Sequence, residues 1–360
     1  MEFGRRFRLT LEGASHAPRV GVRLRGVPAG TPVALGPIQE ALDRRRPVGR
    51  RLASRRHEED RLVVESGLAD GRADGGEIRA HVANTDARPS DYAGLAATPR
   101  PGHADYPARV RYGPSADLAG GGIFSGRMTV GLVIAGAIGA QMLRARGIEC
   151  VAYTRSVGTV DHRPDPRRPL ADLRRAAAAN EVGCPDPADA ARMAEAIEAA
   201  RRAGDSVGGV VEIRAEGLPV GLGEPFFDSV ESVLAHLAFS VPAVKAVEFG
   251  AGAAAARMRG SEHNDPYFLV GDELRTRSNH AGGLLGGLTN GMPLLWRVAV
   301  KPTSSIAQAQ ETVDLGTRRP VRLVVPGRHD PCIVPRAVPV LEAVTAIGLT
   351  DLALEGGFLP

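Results

Sequence analysis

Gly120-Gly121-Gly122-Ile123-Phe124-Ser125-Gly126-Arg127-Met128-Thr129 leads into Val130-Gly131-Leu132-Val133-Ile134-Ala135-Gly136-Ala137-Ile138-Gly139-Ala140, an apolar run that ends near Leu143. A helix that is apolar nearly all round has no solvent face, so this one belongs in the interior. The run Val130–Ala140 is far short of the roughly 20 residues that span a bilayer. Glycines ahead of a long helix can bring backbone N–H groups up to a phosphate. There is no Walker lysine and no GxGxxG fingerprint, so this is not a standard nucleotide loop.

Upstream stands Arg100-Pro101-Gly102-His103-Ala104-Asp105-Tyr106. Pro101 and Gly102 bend the chain before His103, placing the imidazole on irregular backbone, where binding and catalytic residues concentrate. Phe7–Leu11 alternates like a half-buried strand and runs into Gly13-Ala14-Ser15-His16-Ala17, a second histidine on a small-residue turn. Val20–Leu24 and Val33 read as further strand material, and Ile38–Leu42 as a short helix. Then follow Arg44-Arg45-Arg46-Pro47 and Arg50, Arg51, Arg55 and Arg56. These seven arginines form either a solvated face or a clamp for phosphate and carboxylate, which guanidinium forks bind in bidentate fashion.

Between Leu62 and Val82, short apolar pieces broken by glycine suggest strands and turns. Asp161–Pro169 reads as an exposed loop. Ala171–Ala203 has helical spacing, interrupted at Pro185 and Pro187. Val207–Ile213 predicts a strand, Phe227–Phe239 an amphipathic helix, and Val338–Leu354 a core-facing helix. Periodicity alone gives a mixed α and β chain. No fixed-period repeat and no composition shift divides it, so residues 1–360 are expected to form a single domain.

A chain of 360 residues with 43% hydrophobic content can bury a large core. Met1–Gly13 has no apolar h-region, so no signal peptide is expected. Cys150, Cys184 and Cys332 are too few and too scattered for a disulfide framework or a zinc site. The expectation is a soluble cytoplasmic protein with no metal and no membrane partner. Of 45 basic residues only two are lysines, Lys245 and Lys301, so positions that keep lysine stand out. The net charge of +4 suggests anionic partners. With 4% aromatic residues there is little to stack on bases, so small phosphates or carboxylates fit better than nucleic acid.

The second half carries the densest motifs. Ser240-Val241-Pro242-Ala243-Val244-Lys245 holds one lysine. Asn279-His280-Ala281-Gly282-Gly283-Leu284-Leu285-Gly286-Gly287-Leu288-Thr289-Asn290-Gly291 is glycine-rich, serving either tight packing or close backbone approach to a ligand. Lys301-Pro302-Thr303-Ser304-Ser305 combines the other lysine with three hydroxyls, the donor set a phosphate needs. Gly327-Arg328-His329-Asp330-Pro331-Cys332 follows the strand-like Leu323-Val324-Val325, and Asp330 is either a proton acceptor or an aspartate serving a turn.

In this order, the Ser15-His16 turn, Arg44–Pro47, Arg100–Asp105, the triple glycine, the two glycine pairs, Lys301–Ser305 and Gly327–Cys332 resemble chorismate synthase almost end to end. The resemblance implies an α/β fold, a β-α-β sandwich with a helical core between antiparallel sheets, assembled as a homotetramer. It implies a 1,4-anti-elimination of phosphate from 5-enolpyruvylshikimate 3-phosphate with reduced FMN and no net redox. NADPH enters only if the protein reduces its own flavin, which no dinucleotide fingerprint supports. By the same resemblance His16 is the acid serving the leaving phosphate, and His103 keeps the flavin in its working protonation state. Asp330 is the aspartate that helps take the ring proton by way of flavin N5. Ser15, Arg46, Arg51 (or its neighbour Arg50), Arg100, Arg127 and Arg328 hold the phosphate and carboxylates. Flavin contacts come from Ser125, Ala243, Gly286, Lys301, Thr303, Ser304, Ser305 and Arg328, with Lys245 near the flavin strand.

The family usually reads Gly-Glu-Ser-His-Gly where this chain has Gly13-Ala14-Ser15-His16-Ala17. It usually reads Arg-Gly-Gly-Gly-Arg-Ser-Ser-Ala-Arg-Glu-Thr where this chain has Ala119–Thr129, with Ile123, Phe124 and Met128 replacing polar groups. Charge-assisted bonds lost there are worth roughly 1.5–3 kcal/mol each. The expectation is weaker flavin or substrate binding, or a different contact at that place. Two further readings are a paralogue acting on a modified shikimate-type substrate and a non-catalytic flavin-binding protein.

Overall fold

The structure is a computed structural model that describes residues 1–47, 51–52, 58–85, 97–113, 119–325 and 329–360. The described helices are α1 (Leu35–Arg45), α2 (Asp105–Tyr112), α3 (Thr129–Arg144), α4 (Leu170–Ala178), α5 (Pro187–Arg202), α6 (Val230–Ser240), α7 (Gly260–His263) and α8 (Val334–Glu355).

Twelve of the sixteen residues of α3 and seventeen of the twenty-two of α8 are buried. Neither helix has a polar stripe to offer water, so both must lie between other layers. Those layers are two five-stranded antiparallel sheets. The first runs in the order Glu2–Phe3, Arg8–Gly13, Arg19–Arg25, Ile78–Ala83, Val63–Ser66. The second runs Val244–Phe249, Leu294–Val300, Gly209–Glu216, Glu149–Val157, Val160–Asp161. In Ile78–Ala83 the side chains of Ile78, Ala80 and Val82 are buried while Arg79 and Ala83 are exposed, the period-2 pattern of a sheet with one wet face. α3 lies on the first sheet, α8 on the second, and the two helices pack against each other, with α1 and α6 completing the middle layer. The α/β sandwich with a helical core between antiparallel sheets is the architecture observed.

The helices approach closely because small residues meet. A Cβ placed on Gly136 of α3 would lie 2.5 Å from the Cα, Cβ and carbonyl oxygen of Ala343 on α8. α3 meets the first sheet in the same way, since a Cβ on Gly131 would lie 2.7 Å from the carbonyl oxygen of Gly21. The N-terminal turn is fastened to the far end of α8 by Asp351, whose carboxylate accepts from the backbone N–H groups of Arg5, Arg6 and Phe7 at 2.7–3.1 Å. α3 with its preceding turn (Gly126–Arg144) and α8 are both long and apolar enough to cross a membrane by length and composition. They are the core helices of this sandwich. α8 is thus a longer apolar element than the Val130–Ala140 run.

Several boundaries differ from the sequence reading for identifiable reasons. α6 starts at Val230 rather than Phe227, because the Ser229 hydroxyl accepts from the Ser232 N–H at 3.0 Å and caps the helix there. Val33 is not strand; its neighbour Pro32 makes an isolated bridge to Arg72. The strand before the Asp330 motif is Arg319–Leu323, paired with Gln310–Asp314 in a separate hairpin, and it ends before Val324. α4 and α5 stand where the Ala171–Ala203 pattern places them, α5 opened by Asp186 and Pro187.

Because the α3–α8 contact has no room for a side chain, Gly136→Val is expected to destabilise the protein by at least about 1–3 kcal/mol through overpacking. Urea unfolding monitored at Trp296 measures it; an unchanged midpoint would show that the two helices can separate freely.

Candidate active site

The triple glycine sits between the two histidines. Gly120, Gly121 and Gly122 have φ of 58°, 92° and 53°, a left-handed run that only glycine adopts without strain. A Cβ on Gly120 would lie 2.1 Å from Cε1 of His16 and 2.8 Å from the Ser15 hydroxyl. A Cβ on Gly121 would lie 3.5 Å from Cε1 and Nε2 of His103. The backbone N–H of Ser15 donates to the Gly122 carbonyl at 3.1 Å. One loop therefore holds His16 and His103, 87 positions apart in the chain, against its own backbone. It does not feed α3 directly. Ser125 first caps a 3-10 turn, Gly126–Met128, by accepting from the Arg127 N–H at 3.3 Å.

His103 stands on a clamped turn. The Asp105 carboxylate, at the first position of α2, accepts from the Arg100 backbone N–H at 3.0 Å, from Arg100 Nε at 2.7 Å and from Arg100 Nη2 at 2.8 Å. His103 Nδ1 lies 2.6 Å from Asp105 Oδ1. Arg100 Nη1 donates to the Ser305 hydroxyl at 3.2 Å. Burial works against the charge of Asp105, but the hydrogen bonds from Arg100 and His103 outweigh it and hold the carboxyl well below the usual carboxylate range. Arg100 is buried in this clamp.

The lysine motif joins the same turn. Lys301 Nζ donates to the Gly102 carbonyl and to the Ser304 hydroxyl (3.0 Å), and Ser304 Oγ donates to the same carbonyl at 2.7 Å. Ala243 has φ of 73° and its carbonyl accepts from the Lys301 N–H at 2.9 Å. Lys245 is the bulged residue where this strand pairs with Leu294–Val300. Burial, and then repulsion from Lys245, push the Lys301 ammonium below its ordinary range. The Thr303 hydroxyl is buried and has no hydrogen-bond partner among the described residues. Two cations that repel one another beside an orphaned hydroxyl are what an anionic group would relieve.

A buried charge network supports the other side. Arg127, reached by the 3-10 turn, donates from Nε to Asn84 Oδ1 (2.7 Å), from Nη1 to Asp60 (2.5 Å) and Glu58 (3.1 Å), and from Nη2 to the Ala83 carbonyl (3.2 Å). Asp60 also accepts from Arg45 Nη2 at 2.6 Å. Arg336 on α8 donates to Asp330 at 2.6 Å and lies 3.8 Å from Glu58. Asn84 closes the circuit to the first histidine, its Nδ2 donating to the carbonyls of Ala17 (2.6 Å), Ala14 (3.3 Å) and Ser15 (3.4 Å). Three guanidiniums and three carboxylates thus balance, and through Asn84 they tie Asp330 to the His16 turn. Burial raises the Asp60 pKa, but Arg45 and Arg127 outweigh it and the net direction is down.

The structure brings together Ser15, His16, His103, Arg100 and Ser125 through the glycine loop, and Lys301, Ser304 and Ser305 through the Gly102 turn. Arg46 is part-exposed and paired with Asp43 (3.2 Å), and it donates to the Glu59 carbonyl. Arg51 is paired at the surface with Glu198 of α5 at 2.8 Å. Gly286 lies at the turn between Leu284–Leu285 and Leu288–Thr289, which docks on α6 through the Gly287 carbonyl and the Val230 N–H (3.0 Å); beside Gly286 itself is open space. Arg328 and Arg50 lie outside the described residues. Of the departures from the family pattern, Met128 is a core residue, Phe124 packs near Tyr112 (ring centroids 6.1 Å) and Ile123 is exposed.

Asp105 and Arg45 stand inside quoted motifs but without an assigned role, and Glu58, Asp60, Asn84 and Arg336 carry no signal that separates them from ordinary polar residues. The Asp330 motif points to Arg336 only by proximity.

The sequence and the fold are matched in known proteins over nearly their whole length. The family profile described as chorismate synthase covers residues 7–354. The chorismate synthase of Korarchaeum cryptofilum is 48% identical over 97% of this chain and 96% of its own length. Those of Aeropyrum pernix (47%, covering 98% and 92%) and Dehalococcoides mccartyi (45%, covering 99% and 97%) are similar throughout. A solved structure titled "Crystal Structure of Chorismate Synthase" superposes with a TM-score of 0.77 at 27% identity, covering 98% of this chain and 93% of that one. The chain belongs to the chorismate synthase family.

The depressed pKa of Asp60 fixes the sign of a pH effect. A carboxyl whose folded pKa is lowered contributes stability that is fully present above its unfolded value, about 4, and is lost as pH falls through the folded value. Asp60→Asn is expected to cost about 3–5 kcal/mol at neutral pH, since it leaves buried guanidiniums uncompensated, and to flatten the acid limb below about pH 4. Melting temperatures of both proteins from neutral to acid pH give the comparison; parallel curves would remove Asp60 from the acid transition.

Proposed function

We propose that this chain converts 5-enolpyruvylshikimate 3-phosphate to chorismate by 1,4-anti-elimination, as a phosphate lyase that uses reduced FMN without net redox. The observation that carries the reading is the placement of His16 and His103 on one left-handed glycine loop, with Lys301 and Ser304 fastened to the turn that bears His103. A carbon–oxygen bond to phosphate and a ring carbon–hydrogen bond break, and a new ring double bond forms. Reduced FMN, when bound, supplies electron density to the electron-poor ring.

The chain's own residues do the rest. His16, held by Ser15 and the glycine loop, donates a proton to the departing phosphate oxygen. The loop is too tight for any side chain beside it, which keeps the imidazole in one place. Asp330, paired with Arg336, helps take the ring proton. His103 holds the proton that sets the cofactor's protonation state. Lys301, Thr303, Ser304 and the backbone at Ala243 fit the cofactor, because burial and the neighbouring Lys245 leave Lys301 in need of an anion and the Thr303 hydroxyl is unpartnered among the described residues. The exposed apolar residues Leu269 and Leu274 on one hairpin and Phe226 and Phe227 ahead of α6 are surface that self-association would cover; the homotetramer and the cytoplasmic location are what the family resemblance implies.

Under anaerobic conditions with reduced FMN and 5-enolpyruvylshikimate 3-phosphate, stoichiometric chorismate and phosphate are expected. No chorismate at any enzyme concentration would overturn the reading. His16→Ala is expected to lower kcat on the order of 10²–10⁴-fold. Lys301→Met should weaken flavin binding about 10–100-fold, the worth of one charge-assisted hydrogen bond, read by flavin titration without substrate; undiminished affinity would take Lys301 out of the cofactor site.

A further inference from the structure

His103 Nδ1 has two close neighbours, Asp105 Oδ1 at 2.6 Å and Arg100 Nη2 at 3.0 Å. Nη2 already donates to that same Oδ1 at 2.8 Å. A neutral imidazole carries its proton on one nitrogen only, and the other is an acceptor. A bare Nδ1 would point its lone pair at a carboxylate oxygen at 2.6 Å, a repulsive contact. With the proton on Nδ1, the same distance is that of a charge-assisted hydrogen bond.

We propose that Asp105 is a positioning residue that holds His103 as the Nδ1–H tautomer, leaving Nε2, the nitrogen beside Gly121, as the one that exchanges a proton with bound ligand. The inference rests on the reading above that His103 handles a proton in the reaction. The carboxylate is fit for this because it cannot turn. Oδ2 accepts twice from Arg100, through the backbone N–H and Nε, and Oδ1 accepts once more through Nη2. Arg100 is in turn fixed by Ser305 from the lysine motif. Among the described residues, the titratable and charged groups around the imidazole are Arg100 and Asp105 on its own turn, Lys301 through the Gly102 carbonyl, and His16 across the glycine loop.

Asp105→Asn makes the assignment testable. An amide has one acceptor oxygen, and the two Arg100 donors at the Oδ2 position claim it, so the NH₂ turns towards His103. Arginine cannot accept a hydrogen bond, but an imidazole can. The tautomer is therefore expected to reverse, with the proton moving to Nε2.

The primary measurement is ¹⁵N NMR of the full ligand-free chain labelled at histidine, above the ordinary imidazole titration range, with the His103 signals assigned by their loss in His103→Gln. Wild type is expected to show a protonated Nδ1 and a bare Nε2, and Asp105→Asn the reverse. Its kcat should fall on the order of 10²–10⁴-fold with KM unchanged, whereas Asp105→Glu keeps Nδ1–H and part of the turnover. A wild-type His103 protonated on Nε2, or an Asp105→Asn protein with unaltered tautomer and kcat, overturns the proposal. Should Asp105→Asn not fold, the wild-type and Asp105→Glu spectra decide it. The tautomer is read without flavin or substrate. Full turnover by His103→Ala would therefore sink the functional reading of His103 while leaving the hydrogen-bond assignment standing.

Discussion

The Arg127 guanidinium is the contact on which the site's geometry depends. It enters from the turn that follows the triple glycine and meets Asp60, Glu58 and Asn84 in the interior. A buried guanidinium is tolerable only when its donors are matched by carboxylates or carbonyls with good geometry. That requirement orders the end of the Ile78–Ala83 strand, the Asn84 side chain and the His16 turn in one step. The same set of charges reaches α8 through Arg336 and so fixes Asp330. The resemblance implied a substrate contact at Arg127; its bonds within this chain are to the protein itself.

Arg100 follows the same logic on the other side. Its guanidinium is used by Asp105 and Ser305, and the result is a rigid seat for His103. Arg100 and Arg127, which the resemblance casts as ligand anchors, also hold neighbouring groups of this chain in place. Groups held in this way lose little freedom when a ligand arrives, which is the advantage of a preorganised site.

How much of this was legible in the sequence varies with the kind of interaction. The burial of α3 was readable because an all-apolar helix has no alternative. The sandwich came from the order of the motifs, since periodicity alone gave mixed α and β. His16 stands out on a turn of small residues, His103 behind a Pro-Gly bend, and Lys301 as one of two lysines in the chain, followed by three hydroxyls. The network that joins Arg45, quoted only as one of a run of arginines, to Glu58, Asp60, Asn84 and Arg336 was not readable. In a chain with 45 basic and 41 acidic residues nearly any pairing is possible, and only the tertiary fold selects which charges are buried together. The start of α6 was misplaced because two aromatics, Phe226 and Phe227, mimic a helical face, while the Ser229 cap decides the boundary.

The Gly102 carbonyl, shared by Lys301 and Ser304, has a consequence for how the protein is made. That contact joins positions 199 and 202 residues apart, and Asp330 is later still in the chain. The loop closures that build the site are therefore long, and such contacts form late and slowly. A nascent chain can pair the strands of its first sheet early, yet it has no site until the last helix emerges and docks on α3. Completion of the site and completion of the core are one event, so a chain truncated before α8 lacks both.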